Sequence, residues 1–193
     1  MSDLSAPLAC VTGVVLAGGR GLRMNGIDKG LIERDGRTLA ERQLERLRAQ
    51  TGALLISANR NLDRYHTLGV PVVTDRQPGH PGPLAGMLAA LRAARTPWIA
   101  CLPCDTFGTP DDLVPRLLAA ATAAAAPAAY AVDVHGSQYT VCLLHTDLAD
   151  AVDAALHASR RAVHAFLNAQ HAVAVDFTDC AFANLNTPEA LAC

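Results

Sequence analysis

The stretch Val14-Val15-Leu16-Ala17-Gly18-Gly19-Arg20-Gly21-Leu22-Arg23-Met24, closed shortly after by Asp28-Lys29-Gly30, decides how this chain is read. Val14 to Ala17 is apolar and β-branched, which predicts a buried strand. It runs directly into a loop holding Gly18, Gly19 and Gly21 together with Arg20, Arg23 and Lys29. Glycine permits positive φ and close approach of the backbone to a ligand. Successive backbone N–H groups in such a loop form a concave anion site, to which the basic side chains add charge. A polyphosphate is the natural occupant. Two familiar loops do not fit. The Walker pattern needs a lysine where Ile27 stands, and the dinucleotide pattern needs a glycine where Met24 stands.

Outward from this loop, strand and helix signals alternate. Strands are predicted at 53–58, 70–74 and 98–102. Helices are predicted at 38–49, with Thr38 and Glu41 as a capping box, at 83–94, with Pro83 in the first turn, and at 111–126, ended by Pro127. This alternation predicts an α/β fold with a mostly parallel sheet covered by helices on both faces. The second half reads differently. Strands at 130–134 and 139–144 flank His135-Gly136-Ser137-Gln138, a hairpin signal. Helices at 147–157 and 161–169 and a strand at 172–177 follow. An antiparallel insertion in the second half is therefore expected. No linker or fixed-period repeat interrupts the chain, so its 193 residues are read as one domain.

Composition narrows the function. About half of the residues are hydrophobic and the net charge is −2, an ordinary globular balance. It offers no broad positive field for a nucleic acid or an anionic membrane. No apolar run reaches the ~18–20 residues of a membrane span, and Met1 to Ala9 lacks a basic leader region. A cytoplasmic protein is expected. The six cysteines are scattered, as reduced thiols are. In Cys101-x-x-Cys104 the first cysteine lies inside a strand, whereas a redox pair would open a helix after one. No second ligand pair suggests zinc. The seven histidines form no catalytic or metal-binding pattern.

Asp105 follows the strand at 98–102. Ligands of open α/β sheets bind outside the carboxyl ends of strands, so Asp105 should lie on the same edge as the glycine-rich loop. One carboxylate beside phosphates is what Mg²⁺ requires. A helix cap near Pro110 is the alternative. Asn59 and Asp75 each follow a strand as well. Asn offers donor and acceptor together, which suits a nucleobase or ribose; an Asx-turn or helix cap is the alternative for each. Gly82 to Gly86 sets a helix N-terminus behind a close-approach loop. Arg160-Arg161 could grip a phosphate through their planar forks, or could form a plain surface pair.

Taken in order, several segments carry a resemblance: Leu16-Ala17-Gly18-Gly19-x-x-x-Arg23-Met24, Asp28-Lys29, Ser57-Ala58-Asn59-Arg60, Val73-Thr74-Asp75, Gly82-Pro83-Leu84-Ala85-Gly86, Pro103-Cys104-Asp105-Thr106, Arg160-Arg161 and Asn184-Leu185-Asn186-Thr187-Pro188-Glu189. Over nearly the whole length the chain resembles the molybdenum cofactor guanylyltransferases, nucleotidyltransferases with a Rossmann-like core. It departs from the usual wording at Phe107-Gly108-Thr109, where the family commonly has a proline after the threonine. The resemblance implies transfer of GMP from GTP to molybdenum–molybdopterin, with Mg²⁺ as cofactor. It implies catalytic roles for Lys29, Asp105 and Arg23, and Asp105 as the metal ligand. GTP would be bound by Leu16, Ala17, Gly18, Gly19, Lys29, Asn59, Asp75 and Asp105. The pterin cofactor would meet Arg160, Arg161, Asn184 and Asn186. A nucleotide part at about 11–110 and a pterin part at about 128–193 follow from this. Molybdenum-insertion proteins and molybdoenzyme chaperones become candidate partners. The rival readings are a cytidylyltransferase on the same pterin, a sugar-phosphate nucleotidyltransferase, and a non-catalytic nucleotide- or cofactor-binding chaperone.

Overall fold

Val14 and Val15 are both fully buried. For neighbouring residues of one strand, this means that both faces of the sheet are covered. In the computed structural model, which describes residues 8–17, 27–75 and 82–184, they belong to β1 (Leu8–Leu16). The first half continues with a small hairpin, β2 (Glu33–Arg34) and β3 (Arg37–Thr38), then α1 (Leu39–Arg48), β4 (Thr51–Ser57), α2 (Leu62–His66), β5 (Val72–Val73) and α3 (Pro83–Ala93). Next come β6 (Trp98–Pro103), β7 (Thr106–Phe107), α4 (Leu113–Ala123), β8 (Ala128–Asp133) and β9 (Gly136–His145). The last described elements are α5 (Ala149–His157), α6 (Val163–Ala169), β10 (Val173–Phe177) and β11 (Ala183–Asn184).

Seven strands form the central sheet in the order β10-β8-β9-β6-β1-β4-β5. β1 is parallel to β4 and β6, β4 to β5, and β10 to β8. β9 pairs antiparallel with both β6 and β8. The sheet is thus mostly parallel with an antiparallel insertion in the second half, as the alternation of signals predicts. One apolar layer packs α1 and α4 on the sheet through Leu44, Leu47, Leu113 and Leu117. The opposite layer packs α3, α5 and α6 through Leu84, Met87, Val152 and Phe166.

The caps behave as their chemistry dictates. Thr38 Oγ1 accepts from the Glu41 N–H at 3.2 Å, and the Thr38 N–H donates back to Glu41 Oε2 at 2.6 Å. The Thr38 hydroxyl and N–H hold the Glu41 carboxyl below its usual value. Thr38→Ala is expected to cost about 1 kcal/mol, the usual value of such a cap. A carboxyl depressed by folding stabilises the fold above its unfolded pKa and loses that contribution as pH falls through the folded value. The gap in melting temperature between wild type and Thr38→Ala should therefore narrow below about pH 4.

Some boundaries differ from expectation. The strand expected over 70–74 is only Val72–Val73, because Pro71 lacks an N–H to extend the ladder. The helix expected from Asp111 begins at Leu113. The one expected from Asp147 is preceded by a 3-10 turn and begins at Ala149. The helix expected from Arg161 begins at Val163, which leaves Arg161 in the turn before it. The hairpin turns at Val134-His135, before Gly136. There Asp133 accepts from the His135 N–H and from Gln138 Nε2, each at 3.0 Å, and closes the turn early. Of the Asn184 to Glu189 segment, residues 185–189 lie outside the described residues.

Candidate active site

Register brings the carboxyl ends of four strands level. Leu16 stands beside Ser57 of β4 and Pro103 of β6, and Ser57 stands beside Val73 of β5. Backbone bonds carry this alignment one residue further. The Ala17 N–H donates to the Ser57 carbonyl, Ala58 to Val73, and Cys104 to Leu16. Hence Ala17, Asn59, Asp75 and Asp105 share one edge. The chain winds to one side of β1 through β4 and β5, then returns to its other side through β6. Such a reversal opens a crevice at the strand ends.

Lys29 and Asp105 meet there. Lys29 Nζ donates to Asp105 Oδ2 at 2.7 Å, and the side chains are 23% and 17% exposed. The pair is shielded yet open to a ligand. Lys29 rides on the 3-10 turn Lys29–Leu31, whose Gly30 and Leu31 are buried. A Cβ on Gly30 would collide with the Tyr65 hydroxyl, so only glycine lets this turn pack so closely. Asp105 occupies the two-residue turn between β6 and β7. It does not cap α4, whose N-cap position is Asp112. Among the described residues Asp105 Oδ1 accepts no hydrogen bond. No group of three or more His, Cys, Asp or Glu gathers for a metal among the described residues either. Asp105 is the carboxylate of this edge that meets Lys29.

Asn59 and Asp75 bind each other. Asn59 Nδ2 donates to Asp75 Oδ2 at 2.6 Å, and the Asp75 N–H donates to Asn59 Oδ1 at 3.0 Å. These two hydrogen bonds join the ends of β4 and β5. Both residues remain half-buried. Gly82, at φ +91°, precedes α3, which starts at Pro83 as expected.

Cys10, Cys101, Cys104, Cys142 and Cys180 are free thiols, while Cys193 lies outside the described residues. Burial, and then the Asp105 charge, push the Cys104 thiol far up. It is therefore no thiolate nucleophile at neutral pH.

The second half reaches the same edge. After β10 the chain crosses back, and β11 pairs antiparallel with β7, Asn184 opposite Thr106. Asn184 Oδ1 accepts from Thr106 Oγ1 at 3.0 Å, next to Asp105. Asp133 anchors this crossing by accepting from the Phe182 N–H at 2.6 Å. Burial pushes the Asp133 carboxyl up, but bonds from Gln138, the Phe182 N–H and the His135 N–H outweigh it and hold it below the usual range. Arg160 and Arg161 are exposed in the turn between α5 and α6. α5 follows β9, which ends beside the start of β6, and α6 leads to the start of β10. The intervening turn therefore lies toward the carboxyl edge. Consistent with this, the His164 ring of α6 lies tilted against Tyr139, 5.8 Å between ring centres. Neither guanidinium has an ion-pair partner among the described residues.

Of the residues singled out in the sequence, Lys29 and Asp105 are in contact, and Leu16, Ala17, Asn59, Asp75 and Asn184 lie on the same edge. Arg160 and Arg161 stand apart from them in the helical turn. Gly18, Gly19, Arg20, Arg23 and Asn186 lie outside the described residues. The sequence reading missed Asp133 and Tyr65. It quoted Asp28 and Thr106 without a role. A carboxylate buried between strand and turn carries no local signature, although an Asp at a hairpin start is a hint.

Known proteins agree with this architecture. Residues 13–174 match the family described as the MobA-like NTP transferase domain. A Burkholderia ambifaria protein named molybdenum cofactor guanylyltransferase is 48% identical over 198 residues, covering 97% of each chain. A Cupriavidus pinatubonensis protein of the same name is 45% identical, covering 94% of each. The solved structure of molybdopterin-guanine dinucleotide biosynthesis protein A from Archaeoglobus fulgidus superposes with a TM-score of 0.73 at 21% identity, covering 94% of this chain and 95% of that one. With a family match across most of its length and near-half identity to such relatives, the chain belongs to the MobA-like NTP transferases and is a nucleotidyltransferase.

Proposed function

We propose that the chain transfers GMP from GTP to the terminal phosphate of the molybdenum–molybdopterin cofactor and releases pyrophosphate. The carrying observation is the Lys29–Asp105 contact at 2.7 Å on the carboxyl edge. The names of the relatives supply the substrates. In this reading the pterin's phosphate oxygen forms a bond to the α-phosphorus of GTP as the α–β bridging bond breaks. A phosphate monoester is mostly dianionic at pH 7, its second pKa being about 6. No protein base is needed to prepare it. The work left to the protein is alignment and charge neutralisation.

Lys29, Arg23 and the N–H groups of the Leu16-Ala17-Gly18-Gly19 segment would bear the charge of the leaving pyrophosphate. Asn59 and Asp75 would meet the guanosine. Arg160, Arg161, Asn184 and Asn186 would meet the pterin and its phosphate, so that about 11–110 serves the nucleotide and about 128–193 the pterin. Magnesium fits Asp105: a hard oxygen donor carries the ammonium on one oxygen and takes no hydrogen bond on the other among the described residues. That matches the few protein oxygens Mg²⁺ takes beside phosphates. When bound it would supply Lewis-acid neutralisation of phosphate charge. Molybdenum-insertion proteins and molybdoenzyme chaperones remain the partners this reaction implies.

The test is pyrophosphate release with Mg²⁺, the molybdenum cofactor and either GTP or CTP. Turnover with GTP, and at most a small fraction of it with CTP, is the expected result. Preference for CTP would make the chain a cytidylyltransferase. Turnover only with a sugar phosphate as acceptor, or binding without pyrophosphate release, would replace the proposal.

A further inference from the structure

Lys29 reaches Asp105 from the short 3-10 turn Lys29–Leu31. Its neighbour Asp28 has a side chain only 6% exposed, and burying a carboxylate is costly unless it is fully partnered. Among the described residues its partners all come from one arm, residues 60–65. Tyr65 Oη donates to Asp28 Oδ1 at 2.6 Å, and Asn61 Nδ2 donates to Oδ2 at 2.9 Å. Arg60 Nε lies 3.6 Å from Oδ2, and Arg60 also donates through Nη2 to the Ile27 carbonyl at 2.9 Å. Helix capping does not explain Asp28, since its side chain makes no cap bond to the turn it precedes.

We propose that Tyr65, with Asn61 and Arg60, positions Lys29: by seating the Asp28 carboxylate, the arm fixes the point from which the next residue is aimed at Asp105. The inference rests on the role given to Lys29 in the proposed function. Tyr65 is fully buried. Burial, then the Asp28 carboxylate, push its phenol far up, so it stays a donor at every working pH. Gly30 lies against the same hydroxyl, so the lysine is flanked on both sides by residues registered on Tyr65. The arm begins at Asn59, which is bonded to Asp75. One short piece of chain thus sets the spacing between the nucleoside contact and the phosphate contact.

The experiment is a double-mutant cycle on the full chain with the pyrophosphate-release assay, joined to crystal structures of the single variants. Tyr65→Phe should lower kcat by about 10- to 10²-fold, the cost of an ångström-scale misplacement. KM for GTP should change less than about threefold, since binding is shared by many groups. In a Lys29→Ala background, Tyr65→Phe should add nothing, because its effect runs through the lysine. A full further drop in that background would overturn the proposal, as would unchanged kcat in both Tyr65→Phe and Asn61→Ala. Asn61 is exposed and serves where Tyr65→Phe fails to fold. If wild type releases no pyrophosphate from GTP, the proposed function fails, and the crystal structures alone decide the positioning. In them the Lys29–Asp105 contact should open beyond hydrogen-bond distance, and its retention in both variants would refute the inference.

Discussion

Lys29→Ala is expected to lower kcat for nucleotide transfer by about 10²–10³, the usual loss for one preorganised electrostatic donor. The ammonium stands 2.7 Å from Asp105, on the edge where the strand ends come level. Charge that develops on a leaving pyrophosphate would meet it without reorganisation. The fold should survive. The pair is partly exposed, and such ion pairs contribute about 0–1 kcal/mol, so the melting temperature should move little. Lys29→Arg keeps the charge but replaces a compact ammonium on a flexible stem with a planar fork, and should recover only part of the rate. Steady-state kinetics at saturating Mg²⁺ make the check. Turnover close to wild type in Lys29→Ala removes the lysine from the mechanism.

Asp105→Ala should be more damaging still, with Mg²⁺-dependent turnover falling by about 10³ or more. Metal-assisted charge stabilisation is worth several kcal/mol in such transfers, and each ~1.4 kcal/mol is a factor of ten. No acidic cluster exists among the described residues to replace the lost ligand. Asp105→Asn is the sharper probe: it keeps size and a neutral acceptor but removes the charge that draws a divalent cation. Calorimetric titration of Mg²⁺ with GTP should show weakened metal-dependent binding in both variants, with an unchanged circular dichroism spectrum. Retained activity in Asp105→Asn would take the carboxylate out of metal binding. Because Lys29 and Asp105 touch, their effects should not add. The double variant should be little worse than Asp105→Ala alone.

Much of this site was legible along the chain because its parts follow strands. A run such as Val14 to Ala17 announces a doubly buried strand, and whatever follows a parallel strand falls on the ligand edge. That argument put Asn59, Asp75 and Asp105 on the glycine-rich loop's edge without any knowledge of strand order. The Thr38–Glu41 box was legible for the same reason, since it closes within four residues. What escaped the reading has no local period. β7 and β11 have two residues each, too few to alternate. They exist because Asp133 holds the Phe182 N–H and steers the returning chain onto Thr106.

The order of residues by itself determined the alternating strands and helices, the capped start of α1, and the set of polar side chains delivered to one edge. Backbone propensity and apolar spacing act within a few residues, so they can be read directly. Only the tertiary structure decided which of those side chains meet. Lys29 and Asp105 are 76 residues apart, and Asp28 and Tyr65 are 37 apart. Their encounters depend on β6 taking its place beside β1 and on α2 folding back over residues 27–30. Those placements are settled by burial on both faces of the sheet and by the need of a buried carboxylate for donors, which are properties of the packed chain and of no segment alone.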